Sequence, residues 1–212
     1  MKRFIGIALV LFAAALPASA GGFYLDALVG VNDTDDTAFG VLGTSRIETT
    51  FDSGTTYGLA FGYDFENAFR VEGELTRREA DVDTHDLDNG GAIAGSFGEA
   101  NSTSFFANVF YDFENDSRVT PYVGVGLGQV GVDYANFGVP GLDALDDDDD
   151  VFGYQLAAGI TVDINDRFSF RTDLRLLEAE DAELTSSAAT SNTASDVAYG
   201  AFDITVGVRF KF

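Results

Sequence analysis

Fourteen charged residues recur at alternate positions inside otherwise apolar stretches. They are Asp26, Asp64, Arg70, Glu72, Glu74, Arg78, Asp112, Asp163, Arg171, Asp173, Arg175, Asp203, Arg209 and Lys211. Eight are acids and six are bases, so the set is close to neutral by itself. Guanidinium and carboxylate groups suit bidentate ion pairing, and charges persist away from water only when they are paired and hydrogen-bonded. The chemistry implied is a cross-strand network. Glu72, Glu74 and Asp203 are the expected partners of Arg171, Arg175 and Arg209, with Asp173 in the same network. Two other chemistries find less support. The single histidine, His85, is followed by Asp86, but a working base needs a nucleophile or water held beside it, and nothing around His85 supplies that pattern. The segment DVDTHDLDNG at 81–90 and the run Asp146–Asp150 carry oxygen ligands. Neither has EF-hand spacing, so no cofactor is expected beyond loosely bound calcium or magnesium. The plain reading of the Asp run is a solvated, self-repelling loop.

The elements that must carry these charges are strands. In the last segment Ala198, Gly200, Phe202, Ile204, Val206, Val208, Phe210 and Phe212 fall on one face, while Asp203, Arg209 and Lys211 fall on the other. A helix would spread those charges around its cylinder, so a period of two is the only consistent pattern. The same test predicts eight strands near 23–32, 54–65, 68–81, 102–114, 119–134, 151–164, 167–180 and 198–212. In the fifth, PYVGVGLGQVGVDY changes the parity of its bulky residues after Gln129, which predicts a bulge or a glycine-eased bend.

Short connections at Glu66-Asn67, Asn115-Asp116-Ser117 and Asn165-Asp166 alternate with long ones near 33–53, 82–101, 135–150 and 181–197. Short and long connections therefore lie at opposite ends of an antiparallel up-and-down meander. The fold expected is all-β, an eight-stranded transmembrane β-barrel with short periplasmic turns and long extracellular loops. The repeat YDFEN, at 63–67 and 111–115, and its looser copy VDIND at 162–166 then mark hairpins crossing one interface. Tyr63, Phe65, Tyr111, Phe113, Phe168 and Phe210 would form a periplasmic aromatic girdle there.

A soluble barrel with its polar face outward shows the same alternation. Lipid outside is favoured because the apolar face is nearly free of charge through its middle, where one charge costs about 2–4 kcal/mol. The opposite face also carries the glycines and alanines that a cramped lumen requires. Composition agrees: there is no cysteine, 46% of residues are hydrophobic, and there are 20 Phe and 8 Tyr. The opening MKRFIGIALVLFAAALPASA has the three parts of a secretory signal peptide, with cleavage expected after Ala20. That leaves 21–212 as one barrel domain with 35 acids against 10 bases. Such a charge excludes nucleic acid as a partner, since phosphates would repel it. Most of the excess lies at the long-loop end, where 33–53, 81–100, 135–150 and 178–197 hold 21 acids and one base, Arg46.

The ending VGVRFKF, with the signal peptide and the strand pattern, resembles the small outer-membrane barrels of the OmpA/OmpX type. TPYVGVGLG at 120–128 resembles the fifth strand of porin-family small barrels. The resemblance implies that Phe212, preceded by Phe210, Val208 and Val206, is an insertion signal read by the barrel assembly machinery. It also implies outer-membrane lipids, lipopolysaccharide included, as surroundings, export through the periplasm of a Gram-negative bacterium, and a monomer. The absence of tryptophan leaves the girdles to Phe and Tyr. The role expected is structural, supporting membrane integrity and presenting acidic loops. The alternatives are a small passive pore and a lipid-modifying rim enzyme centred on His85.

Overall fold

The computed structural model describes residues 22–35, 37–42, 45–65, 67–87, 92–93, 97–138, 145–185 and 194–212. The expected signal peptide lies outside the described residues. Eight long strands form the wall: β1 (Gly22–Thr34), β4 (Gly54–Asp64), β5 (Phe69–Leu87), β7 (Phe97–Asp112), β8 (Val119–Gly138), β9 (Leu145–Asp163), β10 (Phe168–Thr185) and β11 (Ala194–Lys211). Each pairs antiparallel with its neighbours, and β1 pairs with β11, so the barrel closes. Closure matters because bilayer hydrocarbon offers no partner to an unpaired strand edge.

The register fixes the shape. Tyr24 pairs with Gly62, and the chain of partners continues through Glu72, Asn108, Gly126, Gln155, Leu177 and Ala201. Ala201 pairs with Thr34, so one circuit returns to β1 ten residues above its start. Eight strands with that stagger tilt by about 40° and enclose a space that side chains can fill.

The strands run higher than the sequence pattern suggested. β5, β8, β9, β10 and β11 have 18 to 20 residues, about twice what a membrane crossing needs. Much of 82–101, 135–150 and 181–197, expected as loop, is strand. Within 33–53, β2 (Thr37–Leu42) and β3 (Ser45–Phe51) form a hairpin whose β3 pairs with the top of β5. A short β6 (Ala92–Ile93) joins β5 as well. The Asp146–Asp150 run is likewise part of β9, with Asp149 and Asp150 opposite Val132 and Gly131 of β8. It is not a loop.

The expected bulge after Gln129 is absent. Pairing on both sides of β8 is unbroken there, and register shifts come only beyond Tyr134, between Tyr134 and Phe137 against β9 and between Phe97 and Glu99 of β7. The bulky parity changes because Val130 and Val132 point inward and are fully buried. At that height the two valines pack inward beside Ser104 and Ser102, their register partners on β7.

Outside, Val29, Leu59, Val125, Leu127, Leu156, Leu176 and Val206 are among the exposed apolar residues of a continuous band. At the short-turn end the aromatics touch in series. Tyr63 meets Phe65 at 5.0 Å, Phe69 meets Tyr111 at 5.2 Å, and Tyr111 meets Phe113 at 5.1 Å between ring centroids. Phe168 meets Phe210 at 5.3 Å, and Phe210 meets Phe212 at 5.1 Å. The repeated pentapeptides also touch through their turns: the Ala68 amide donates to Glu114 Oε1 at 3.3 Å, and the Asp112 amide donates to the Ala68 carbonyl at 2.7 Å.

Candidate functional site

Among the described residues, five arginines and five carboxylates in the lumen are all but sealed from solvent. Arg70, Arg78, Arg171, Arg175 and Arg209 face Asp26, Glu72, Glu74, Asp173 and Asp203, and none exceeds 4% exposure. Alternation alone brings them inside, since every second residue of a wall strand points to the axis.

Arg171 is the hub of the lower half. It pairs with Asp26, donates to Glu72 at 3.1 Å, and grips Asp173 through Nε at 3.0 Å and Nη2 at 2.7 Å. Arg209 holds the other side of Asp26 through Nε at 2.9 Å and Nη2 at 2.8 Å. Arg70 donates to the half-buried Asp112 at 3.1 Å and lies 3.5 Å from Glu72. Higher up, Arg175 pairs with Glu74, and Thr76 donates to the same carboxylate at 2.8 Å. Arg78 grips Asp203 through Nη2 at 2.6 Å and Nε at 3.0 Å, and donates to Ser104 at 2.9 Å.

One expected partnership differs. Asp203 lies opposite Arg175 in register, yet its ion pair is with Arg78 across the lumen. Arg209 stands six residues along β11 from Asp203, about 20 Å at 3.3 Å per residue, and is taken by Asp26 instead. Side-chain parity brings both residues inside; only the stagger of the barrel decides which charges share a height. Asp163, also expected inside, is half-buried at the periplasmic end, where it accepts from Lys211 and Ser169, each at 2.6 Å.

Sequence reasoning missed the aromatic half of the network. The Arg70 guanidinium stacks 4.0 Å from the Phe110 ring and 4.5 Å from the Tyr122 ring, and Arg209 lies 3.8 Å from Tyr24. Phe110 and Tyr122 meet edge to face at 5.6 Å. Tyr24 donates to Glu72 at 3.1 Å, and Tyr122 donates to Asp173. These rings fit because glycines face them. A Cβ on Gly62 would strike Tyr24, one on Gly124 would strike Phe110, and one on Gly159 would lie 2.6 Å from the Tyr122 hydroxyl. The alternating glycines of TPYVGVGLG are thus the recess for Phe110, Asn108 and Phe106 of β7. A signal existed: if Tyr111 faces out, Phe110 must face in.

Above the network, Tyr199 and Ser102 share a 2.7 Å hydrogen bond. Val130, Val132 and Val151 fill this level opposite. His85 pairs through its backbone with Thr49 of β3 and Ile93 of β6; its side chain lies outside the described residues. Among the described residues, no group of three or more acids and histidines is placed to hold a metal ion.

The family model described as "Outer membrane protein beta-barrel domain" matches residues 5–210. The outer membrane protein PagN of Salmonella typhimurium is 26% identical over 167 residues, 66% of each chain. The outer membrane protein OprG of Pseudomonas aeruginosa has the same fold, with TM-score 0.63 and 17% identity over 91% of this chain and 96% of its own. Neisserial surface protein A gives TM-score 0.59 and 17% identity over 92% of this chain and all of its own.

Proposed function

Since the chain belongs to the outer-membrane β-barrel domain family and resides in the Gram-negative outer membrane, we propose that it is a plugged barrel that strengthens that membrane and carries an acidic collar outside it. The observation that carries this reading is the burial of the lumen. Water-filled channels leave their lining side chains wet, whereas here Arg70, Arg78, Arg171 and Arg175 are each under 2% exposed. Paired charges crosslink β1, β5, β10 and β11, strands far apart in sequence. The wall is thereby braced from inside, while its outer face meets lipid.

In this reading the interlocked Tyr63, Phe65, Tyr111, Phe113, Phe168 and Phe210 seat the barrel at the periplasmic interface, as aromatic girdles do. Phe212, which is 75% exposed, is the residue offered to the assembly machinery. The collar is the upper part of the long strands together with their connections, and it holds most of the net charge. It keeps anions away and draws calcium or magnesium as a loose counter-ion layer.

The test is planar-bilayer conductance of the mature protein refolded in detergent. A folded, heat-resistant barrel that gives no conductance steps supports the plug. Reproducible, salt-dependent steps would overturn it in favour of a passive pore.

A further inference from the structure

Two ion pairs in the upper half of the lumen are joined in a way that nearest-neighbour attraction does not explain. Arg175 and Asp203 are direct partners across the β10–β11 ladder, where opposite charges attract. Yet among the described residues no ion pair joins them. Asp203 accepts from Arg78 Nε at 3.0 Å and Nη2 at 2.6 Å, while Arg175 pairs with Glu74. Arg78 and Glu74 both belong to β5, across the lumen. This arrangement leaves a mark on Arg175. Among the described residues its Nε and Nη2 donate to no acceptor, although the side chain is 2% exposed. Nη2 lies 3.7 Å from Asp173, beyond hydrogen-bond reach. Asp203 therefore has a second guanidinium beside it with donors still free.

Sequence distance sets the order in which these partners can meet. Arg175 and Asp203 share one hairpin, whereas Arg78 and Asp203 are 125 residues apart. Contacts between distant segments form late, because the entropy of closing the loop is lost before they reward it. The wall makes the same distinction. Glu74 and Arg78 lie on one face of β5, about 13 Å apart at 3.3 Å per residue, too far to pair with each other. Their ladder neighbours are uncharged: Ala60 and Phe106 flank Glu74, and Thr56 and Ser102 flank Arg78. β5 comes to face β10 and β11 only as the sheet curls shut along β1 and β11. Until then Arg175 and Asp203 have each other, and charges held away from water persist only when paired.

We propose that Asp203 is a two-position carboxylate that changes partner as the barrel closes. In the C-terminal hairpin it pairs with Arg175. On closure Arg78 takes Asp203 and Glu74 takes Arg175, so that one local pair and two unmatched charges on β5 become two braces across the lumen. The exchange concerns how the barrel closes and holds whether or not the finished lumen conducts, so its failure and that of the plug are separable.

The experiment measures folding and unfolding rates of the mature barrel between urea and liposomes, with closure followed by gel mobility. The quantity compared is the share of each stability loss that appears in the folding rate. Arg78 and Asp203 are two ends of one pair in the finished barrel, so a carboxylate with a single position gives both the same share. The exchange gives different ones. Arg78→Gln removes only the late partner, so folding should stay within about twofold while unfolding quickens about tenfold or more. Asp203→Asn removes the early pair as well and should slow folding about tenfold. Glu74→Gln and Arg175→Gln repeat the contrast at the other brace, with fast and slow folding respectively, and decide the matter if a variant of the first pair does not fold. Equal shares for Arg78→Gln and Asp203→Asn, whether both small or both large, would overturn the exchange. So would an Arg175→Gln barrel that folds as fast as Glu74→Gln.

Discussion

Removing the Arg171 side chain is the most severe single insult the lumen offers. Its guanidinium touches Asp26, Glu72 and Asp173 at once, and the sealed set of five bases and five acids becomes four against five. Asp26 keeps Arg209, and Asp173 keeps Tyr122 with Arg175 at 3.7 Å. Glu72 keeps Tyr24, with Arg70 at 3.5 Å and Arg209 at 3.7 Å. No carboxylate is abandoned, but one buried negative charge is uncompensated. Breaking a buried pair costs about 3–5 kcal/mol, a large part of a typical 5–15 kcal/mol stability. Arg171→Ala should lose about that amount. Arg171→Lys restores the charge but not the planar fork, so it should lose roughly 1–3 kcal/mol, the scale of an unmet buried polar group. The assay is urea unfolding of the barrel in liposomes, followed by gel mobility and tyrosine emission, because the chain has no tryptophan. An unchanged Arg171→Ala midpoint would refute the paired lumen. Equal losses for Ala and Lys would refute the role given to fork geometry.

Two further outcomes follow from packing and from the insertion role proposed for Phe212. Gly124→Ala puts a methyl into the Phe110 ring, which is stacked against Arg70 at 4.0 Å and has nowhere to retreat. Overpacking of this kind costs about 1–3 kcal/mol, read as a lower urea midpoint, whereas Gly131→Ala on the outer side of β8 should cost far less. Deleting Phe212 should leave the protein in the periplasm or degraded, measured by membrane fractionation; normal membrane levels would count against its role in insertion.

What the sequence disclosed divides by height. Within the apolar band, lipid on one side and a packed lumen on the other impose a strict alternation, so Val206, Val208 and Phe210 separate cleanly from Arg209 and Asp203. Strand number, topology and the inward charges were all readable there. Above the bilayer both faces of a strand are wet. Segments such as LDDDDD at the start of β9 lose the period of two and look like loop, although they pair with β8. Partner choice was unreadable for another reason. Parity places Asp203 and Arg209 on one side of β11, but the ten-residue stagger sets Asp203 level with Arg78 on β5. The inward aromatics were obscured because FFANVFYD carries rings on both parities, and the outward set alone matched the girdle.

The Arg78–Asp203 pair asks what the charges are for. It is the uppermost of the buried pairs, both partners are about 1% exposed, and it ties β5 to β11 across the lumen. Either single change, Arg78→Met or Asp203→Leu, leaves one buried charge unmatched and should cost about 3–5 kcal/mol. The double change removes both charges and leaves apolar groups of similar bulk in a lumen that already holds the fully buried Leu177. Apolar replacements of buried pairs are often neutral or stabilising, so the double variant should recover most of the loss, and the difference from additivity measures the coupling. One cost remains, since Ser104 loses the Arg78 donor at 2.9 Å, and about 1 kcal/mol is the scale of that bond. If the double variant is as unstable as the sum of the singles, these residues act separately and the brace is not a pair. If it is stable but begins to conduct in planar bilayers, the charges are there to keep the lumen closed, and apolar packing suffices to keep the barrel folded.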